Sequence, residues 1–370
     1  MKKIILAMLV FVSIAKQASA QYVSLSNDEF ARLKNLISSD TAAKAAFSRF
    51  QNSADKALNE APNPIEEITS EGLLAGNPDK IKSLKAVEDG SKIYALALVY
   101  KIDNNKACLG KAAEYLLAWA KVNKSSGDPI DETKLEDFVA GYDMIRNDVT
   151  PEVRKTVDKW LLSIADGEIN SEHAVGTKGT AVNNWNSHRI KIIAMIVYTL
   201  HDNKYNKIVE QLLTRQIAIN LYPDGSGYDF EERDALHYHV YTLEPLLTAA
   251  TAIYRATGKD YFNYESEKGS SIKKSIDFLV PYITGEKTHG EFMNSRVGFD
   301  RARAKNNEKG YQPGTKFKPL TGVHVLEQAS FFTNQYLPVI QQVIAGTSHN
   351  EDWELILNKV RKPASLNKSK

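Results

Sequence analysis

Residues 179–200 read GTAVNNWNSHRIKIIAMIVYTL. The second half, Ile190–Leu200, is apolar almost throughout and long enough for a helix that faces a core. The first half crowds three asparagines, a tryptophan, a serine, a histidine and an arginine into the head of that helix. Polar groups entering a core need partners. One asparagine is enough for an N-cap, so the remaining groups call for a different reason. On a helix, Asn184 and His188 stand at i and i+4 and share a face, with Trp185 beside it. Such a face reads as the wall of a ligand groove.

Working outward, helical periodicity continues along the chain. It predicts helices over 27–38, 41–60, 79–102, 108–122, 131–145, 151–166, 184–202, 204–220, 232–257, 270–284, 326–345 and 351–361. Thr150 before Pro151 is a cap followed by a first-turn proline. Strand-like alternation is scarce, and no two-residue hairpin turn joins strand runs. Connections are mostly short, and no low-complexity linker divides the chain. Residues 21–370 therefore read as one all-α domain of antiparallel helical hairpins. An open bundle, a superhelix and a closed ring of hairpins all fit this pattern. No short repeat favours a regular solenoid.

The chain has 370 residues, 43% hydrophobic and 25% charged, with a formal net charge of +2. That length supports a large core, and the charge supplies no drive toward nucleic acid. The first twenty residues, MKKIILAMLVFVSIAKQASA, have a basic start, an apolar run and a small-residue end. They read as a secretory signal cleaved after Ala20, with the mature chain in the periplasm or outside the cell. Lys16 cuts the apolar run too short for a membrane span. The single cysteine, Cys108, leaves no internal disulfide. Oligomeric state is not encoded in any of these features.

A second cluster lies in YPDGSGYDFEERDALHYHVYTLEPLLTAA, residues 222–250. It opens on a Pro-Asp-Gly turn and enters the helix expected over 232–257. On that helix Arg233, His237 and Tyr241 form one stripe, and Asp234 and Tyr238 the next. His237 and His239 point apart, so they make a poor chelating pair. Adjacent acids such as Glu231–Glu232, Asp131–Glu132 and Glu136–Asp137 diverge in the same way and read as solvated faces. No P-loop, dinucleotide fingerprint or serine-hydrolase elbow occurs.

Asn, His, Arg and Tyr, without a metal, cofactor or paired acids, suit β-elimination on a uronic acid. Removing the C5 proton places charge on the neighbouring carboxylate, which amide and cationic groups can stabilise. A tyrosine can serve as base and acid when positive neighbours lower its pKa. Histidine is the alternative base. Flat Trp and Tyr faces suit sugar rings.

NNWNSH, followed some fifty residues later by DGS…ERDALHYHVYTLEPL, resembles the alginate lyase superfamily of (α/α) toroid polysaccharide lyases. The resemblance implies an incomplete (α/α) barrel and an anionic polysaccharide substrate, polymannuronate, glucuronan or a related β-linked uronan. It implies that Asn184 neutralises the uronate carboxylate and that Tyr238 is the acid and base. The family's histidine directly follows the second asparagine, where this chain has Trp185, so His188 one turn later is the substitute. The family's arginine lies seven residues before the tyrosine, at Glu231 here, so Arg233 takes its place and Tyr241 competes with Tyr238. Trp185, His237 and Tyr241 are expected to contact substrate. GEFMNSRVGFDRARA adds Arg296, Arg301 and Arg303 for a polyanion's groove, with Arg296 favoured because it lies nearest an apolar run. A glycoside hydrolase on a similar ring, which needs two convergent carboxylates, and a non-catalytic glycan-binding envelope protein are the alternatives.

Overall fold

A computed structural model describes residues 21–176, 179–345, 347 and 352–361, and the expected secretory segment lies outside them. Sixteen α-helices occur among the described residues. The first seven are α1 (Asn27–Ser39), α2 (Thr41–Ala57), α3 (Pro78–Asp103), α4 (Lys106–Val122), α5 (Pro129–Glu132), α6 (Glu136–Ile145) and α7 (Pro151–Ile169). Then come α8 (Asn184–Leu200), α9 (Asn203–Asn220), α10 (Tyr228–Arg233), α11 (Leu236–Thr257) and α12 (Ile272–Ile283). The last four are α13 (Gly298–Lys305), α14 (Val323–Ala329), α15 (Leu337–Ile344) and α16 (Trp353–Arg361). Two short antiparallel strands, β1 (Gly290–Glu291) and β2 (Thr315–Lys316), are the exception to the all-helical pattern.

Local chemistry sets the helix starts. Ser26 and Glu29 form a reciprocal capping box at α1, and Thr150 caps α7 ahead of Pro151 as expected. The inner wall runs α3, α6, α8, α11, α14, each touching the next. Their hairpin partners α4, α7, α9 and α12 pack outside, giving the (α/α) toroid. Glycine allows a close crossing here: a Cβ on Gly90 of α3 would sit 2.7 Å from the Phe138 ring of α6.

α8 is the hub. Every residue from Asn186 to Thr199 is buried, so both faces are used. Ile192 and Ile196 join the core of the first half, while Ile190, Ile193 and Val197 join that of the second. Each such side chain contributes about 1.5–3 kcal/mol by leaving water. The ring closes through α16, which touches α14 on one side and α1 and α2 on the other. The Arg32 guanidinium donates to the Val360 carbonyl at 2.7 and 3.1 Å. Arg255, at the end of α11, donates to the carbonyls of Gln21, Tyr22 and Ser24 and pairs with Glu29.

Three expected helices are interrupted. The 131–145 segment contains a 3-10 turn, Thr133–Leu135, between α5 and α6. The 326–345 segment divides into α14 and α15, the latter beginning with Pro338 in its first turn. The 232–257 helix breaks at Asp234, a left-handed residue with φ 49° and ψ 48°. No helix among the described residues is long and apolar enough to cross a membrane.

Candidate active site

A cleft of about 420 Å³ opens where the first turns of α8 and α11 meet α13 and the loops carrying Glu71, Tyr311 and Thr321. Asn184, Trp185, Arg233, His237, Tyr238, Tyr241 and Arg303 line it.

The α8 wall explains the opening asparagines one by one. The Asn183 side chain accepts from the Trp185 N–H and is the cap. Asn184 donates its backbone N–H and its amide Nδ2 to Asp229 Oδ1, at 3.0 and 2.6 Å. The other Asp229 oxygen accepts from Asn220 and Thr242. Asp229, 1% exposed, thus ties α8, α9, α10 and α11 together. An amide nitrogen carries two hydrogens, so Asn184 keeps one N–H for a ligand. Asn186 bonds to Gln216 and accepts from Arg189, whose guanidinium also donates to the carbonyls of Glu168 and Ile169. These last groups are structural. Trp185 stands half-buried against His173, ring centroids 5.0 Å apart.

The α11 wall is organised by the break at Asp234. The Asp234 carboxylate accepts from the backbone and side chain of Asn294, and its carbonyl accepts from Phe292 N–H. The Arg296 N–H takes the Glu232 carbonyl. These bonds from a distant segment replace those a continuous helix would make. Glu291 then caps α11, accepting from the backbone N–H groups of Leu236 and His237 and from His237 Nδ1 at 2.7 Å. Phe292 has φ 64°, a left-handed conformation costly for a bulky residue. That strain places its ring against His237, Tyr238 and Tyr311.

Tyr238 is the centre of this wall. Its Oη accepts from Arg303 Nη1 at 2.7 Å, and the same nitrogen donates to Tyr311 Oη at 3.0 Å. The Arg233 guanidinium lies 3.8 Å over the Tyr238 ring, anchored by Asp300 at 2.5 Å. Burial pushes the Tyr238 phenol above its ordinary pKa, while Arg233 and Arg303 pull it down. Tyr241 is raised by burial too. Glu71 and Glu244 also line the cleft, and burial raises the pKa of both carboxyls.

His188 sits behind this surface. It is 4% exposed, shares a hydrogen bond with Thr133 Oγ1 at 3.0 Å, and packs against Tyr241 with ring centroids 4.1 Å apart and the planes tilted by 44°. Burial first, then Lys191 and Lys134, hold its pKa well below the usual value, so the ring is neutral. Pro245 lacks an N–H, which frees the Tyr241 carbonyl from its helical bond and leaves it toward His188.

The structure therefore gathers Asn184, Trp185, Arg233, His237, Tyr238 and Tyr241 on one cleft and puts His188 one layer beneath. It corrects two expectations. Arg233 shares no helical stripe with His237 and Tyr241, because the Asp234 break separates them; it meets Tyr238 through the ring face. Arg296 is not on the cleft. Its side chain is 69% exposed and pairs with Glu231 at 3.4 Å. Arg303 holds the position instead, one turn after Phe299 on the face of α13 that lines the cleft. That i, i+4 aromatic–arginine pair was the available signal. Asp229, Glu71, Glu244 and Tyr311 were not singled out, and no local pattern marks them. His237 and His239 diverge as expected, since His239 Nε2 donates to the Ser275 carbonyl on the other side of α11.

The family model described as alginate lyase matches residues 35–289. An alginate lyase from Bacteroides ovatus aligns with a TM-score of 0.64 and 16% identity, over 92% of this chain and 99% of the other. Alginate lyase A1-III from Sphingomonas species A1 aligns with a TM-score of 0.55 and 18% identity, over 73% and 80%. A variant of A1-III complexed with a tetrasaccharide aligns at 0.54 and 19%, over 74% and 80%. At these identities the structural likenesses establish the shared fold. Among curated protein sequences, none matches the chain.

Proposed function

Because the chain belongs to the alginate lyase family and is a polysaccharide lyase, we propose that it cleaves a β-linked uronic-acid polysaccharide by metal-independent β-elimination. The substrate class is polymannuronate, as in alginate, or glucuronan. The observation that carries this reading is the Tyr238 hydroxyl, held in the cleft by Arg303 with Arg233 over its ring. The complexes of A1-III variants with a tetrasaccharide support an oligosaccharide ligand.

In this mechanism the substrate carboxylate takes the spare N–H of Asn184, which stabilises the charge that grows as C5 loses its proton. Tyr238, as phenolate, takes the C5 proton. The C4–O4 bond breaks, C4=C5 forms, and Tyr238 returns the proton to O4, ending as it began. Arg303 on Oη and Arg233 on the ring stabilise the phenolate. Because burial raises the phenol pKa, the reactive form grows as pH rises, and the rate rises with it. His188, neutral and beneath Tyr241, supports that tyrosine's position. Trp185, His237 and Tyr241 supply the faces for sugar rings. We also assign the chain to the periplasm or the exterior, on the secretory character of residues 1–20.

The test is near-ultraviolet absorbance during incubation with polymannuronate, polyguluronate, glucuronan, hyaluronan and chondroitin. The unsaturated product absorbs there. A rise with polymannuronate or glucuronan, lost in Tyr238→Phe, is the expected result. Reducing ends released with a flat trace would sink the elimination mechanism.

A further inference from the structure

α14 and the residue just before α16 meet through three side chains that the proposed reaction does not use: His324, Glu327 and Asp352. His324 Nδ1 lies 3.5 Å from Glu327 Oε2 and 3.5 Å from Asp352 Oδ2. One donor atom from each residue falls within 4.8 Å of the others. A charge-assisted N–H···O bond closes to about 2.7–2.9 Å, and this spacing is wider. The two histidine–carboxylate spacings match the edge of a tetrahedron whose ligands stand ~2.1 Å from a central ion, which is roughly 3.4 Å, and the two carboxylates lie within 4.8 Å of each other.

Glu327 supplies an independent observation. It is 0% exposed, and neither carboxylate oxygen receives a hydrogen bond. Among the described residues its one ion-pair partner is the His324 ring at 3.5 Å, too far for a hydrogen bond, and a cation held between the two would complete its pairing. His324 and Asp352 line a second cavity of about 300 Å³, together with Gln328, Trp353 and Glu354. The cluster is therefore reached from that cavity, and the cleft is not needed for access.

We propose that His324, Glu327 and Asp352 bind a divalent transition-metal cation of the zinc class. One imidazole nitrogen and two carboxylate oxygens suit zinc, whereas calcium prefers six to eight oxygens. With three protein ligands the fourth position faces the cavity. The ion fastens α16 to α14, at the point where the ring of helices closes. The proposal does not rest on the lyase reading.

The full chain, made without a histidine tag and freed of metal with chelator, is titrated with zinc chloride by calorimetry. Its melting temperature is read with zinc and with calcium. One zinc per chain is expected, with a rise of about 3–5 °C at a hundredfold excess over Kd, and no response to calcium. Glu327→Gln and Asp352→Asn should each weaken zinc binding by at least about tenfold. Absence of zinc binding, or undiminished binding in both variants, overturns the proposal and leaves an ion-paired cluster. If Glu327→Gln does not fold, Asp352→Asn, on the more exposed side of the cluster, decides the matter. Binding and melting are read without substrate, so failure here and failure of the lyase reading are distinct results.

Discussion

The first turn of α8 and the first turn of α11 face each other across the cleft and are held there by different means. α8 begins as an ordinary capped helix, and its reactive residue is fixed by Asp229, which accepts four hydrogen bonds. α11 begins after a left-handed Asp234, and its start is fixed by residues 291–296, some sixty positions later. One wall is rigid through local chemistry and dense bonding. The other stores backbone strain at Asp234 and Phe292 to aim Tyr238 and His237. In the proposed mechanism the carboxylate-binding Asn184 therefore sits on the secure wall, and the proton-transferring Tyr238 sits on the strained one.

The sharpest way to break this contrast is Tyr238→Phe. Turnover should fall by about 10³-fold or more, with little change in melting temperature, because the ring and its packing stay. A near-normal rate in the absorbance assay would move the acid/base role to Tyr241. Next is Arg303→Ala, expected to cost about 10²-fold in kcat/KM. Its pH–rate profile gives a second reading. Removing the guanidinium that pulls the phenol down raises that pKa further, so the rise in rate should shift to higher pH. An unshifted profile would show that Arg303 only binds substrate.

Asn184→Ala tests the secure wall. A loss of about 10–10² in kcat is expected, with about 1–3 kcal/mol of stability, since Asp229 keeps three of its donors. Unfolding would show that the wall is less redundant than its bonding indicates. On the strained wall, Asp234→Ala should destabilise by about 1–2 kcal/mol, and Asp234→Gly should recover part of this because glycine accepts the positive φ. Denaturant melts of the pair decide it. Smallest of all, Arg296→Ala should change the rate less than twofold, as expected for an exposed ion pair.

The same contrast governs what could be read from the amino-acid order. α8 was legible because its signals are local: an apolar run, a cap, and Asn184 at its head. Most other helices were legible for the same reason. The break at Asp234 was not, because EERDALHYH contains no glycine or proline and continues well as a helix. The backbone of Phe292 and Arg296 and the His289 ring, arriving from far along the chain, claim the carbonyls that would have extended it. The placement of Arg303 on the cleft and Arg296 off it was hidden for a similar reason. Proximity to an apolar run is one-dimensional, whereas the face of α13 shared by Phe299 and Arg303 decides which arginine meets the cleft. Arg303 and Tyr311 also lie beyond the span matched by the family model. Asp229 carries no signal in isolation, since its four donors come from three other helices.

The closure of the ring by α16 bears on how the molecule comes into being. Arg32 bonds to a carbonyl 328 residues away, and α16 contributes Ile356, Leu357 and Val360 to one core and Leu355 to the other. Contacts of such sequence separation are slow to form, since the loop entropy must be met before they add stability. α16 touches α14, α1 and α2, so its docking needs both halves of the ring in place. Arg303 and Tyr311 also come late in the chain. In the proposed mechanism the surroundings of Tyr238 are therefore complete only once the segment carrying Arg303 and Tyr311 has docked on α11.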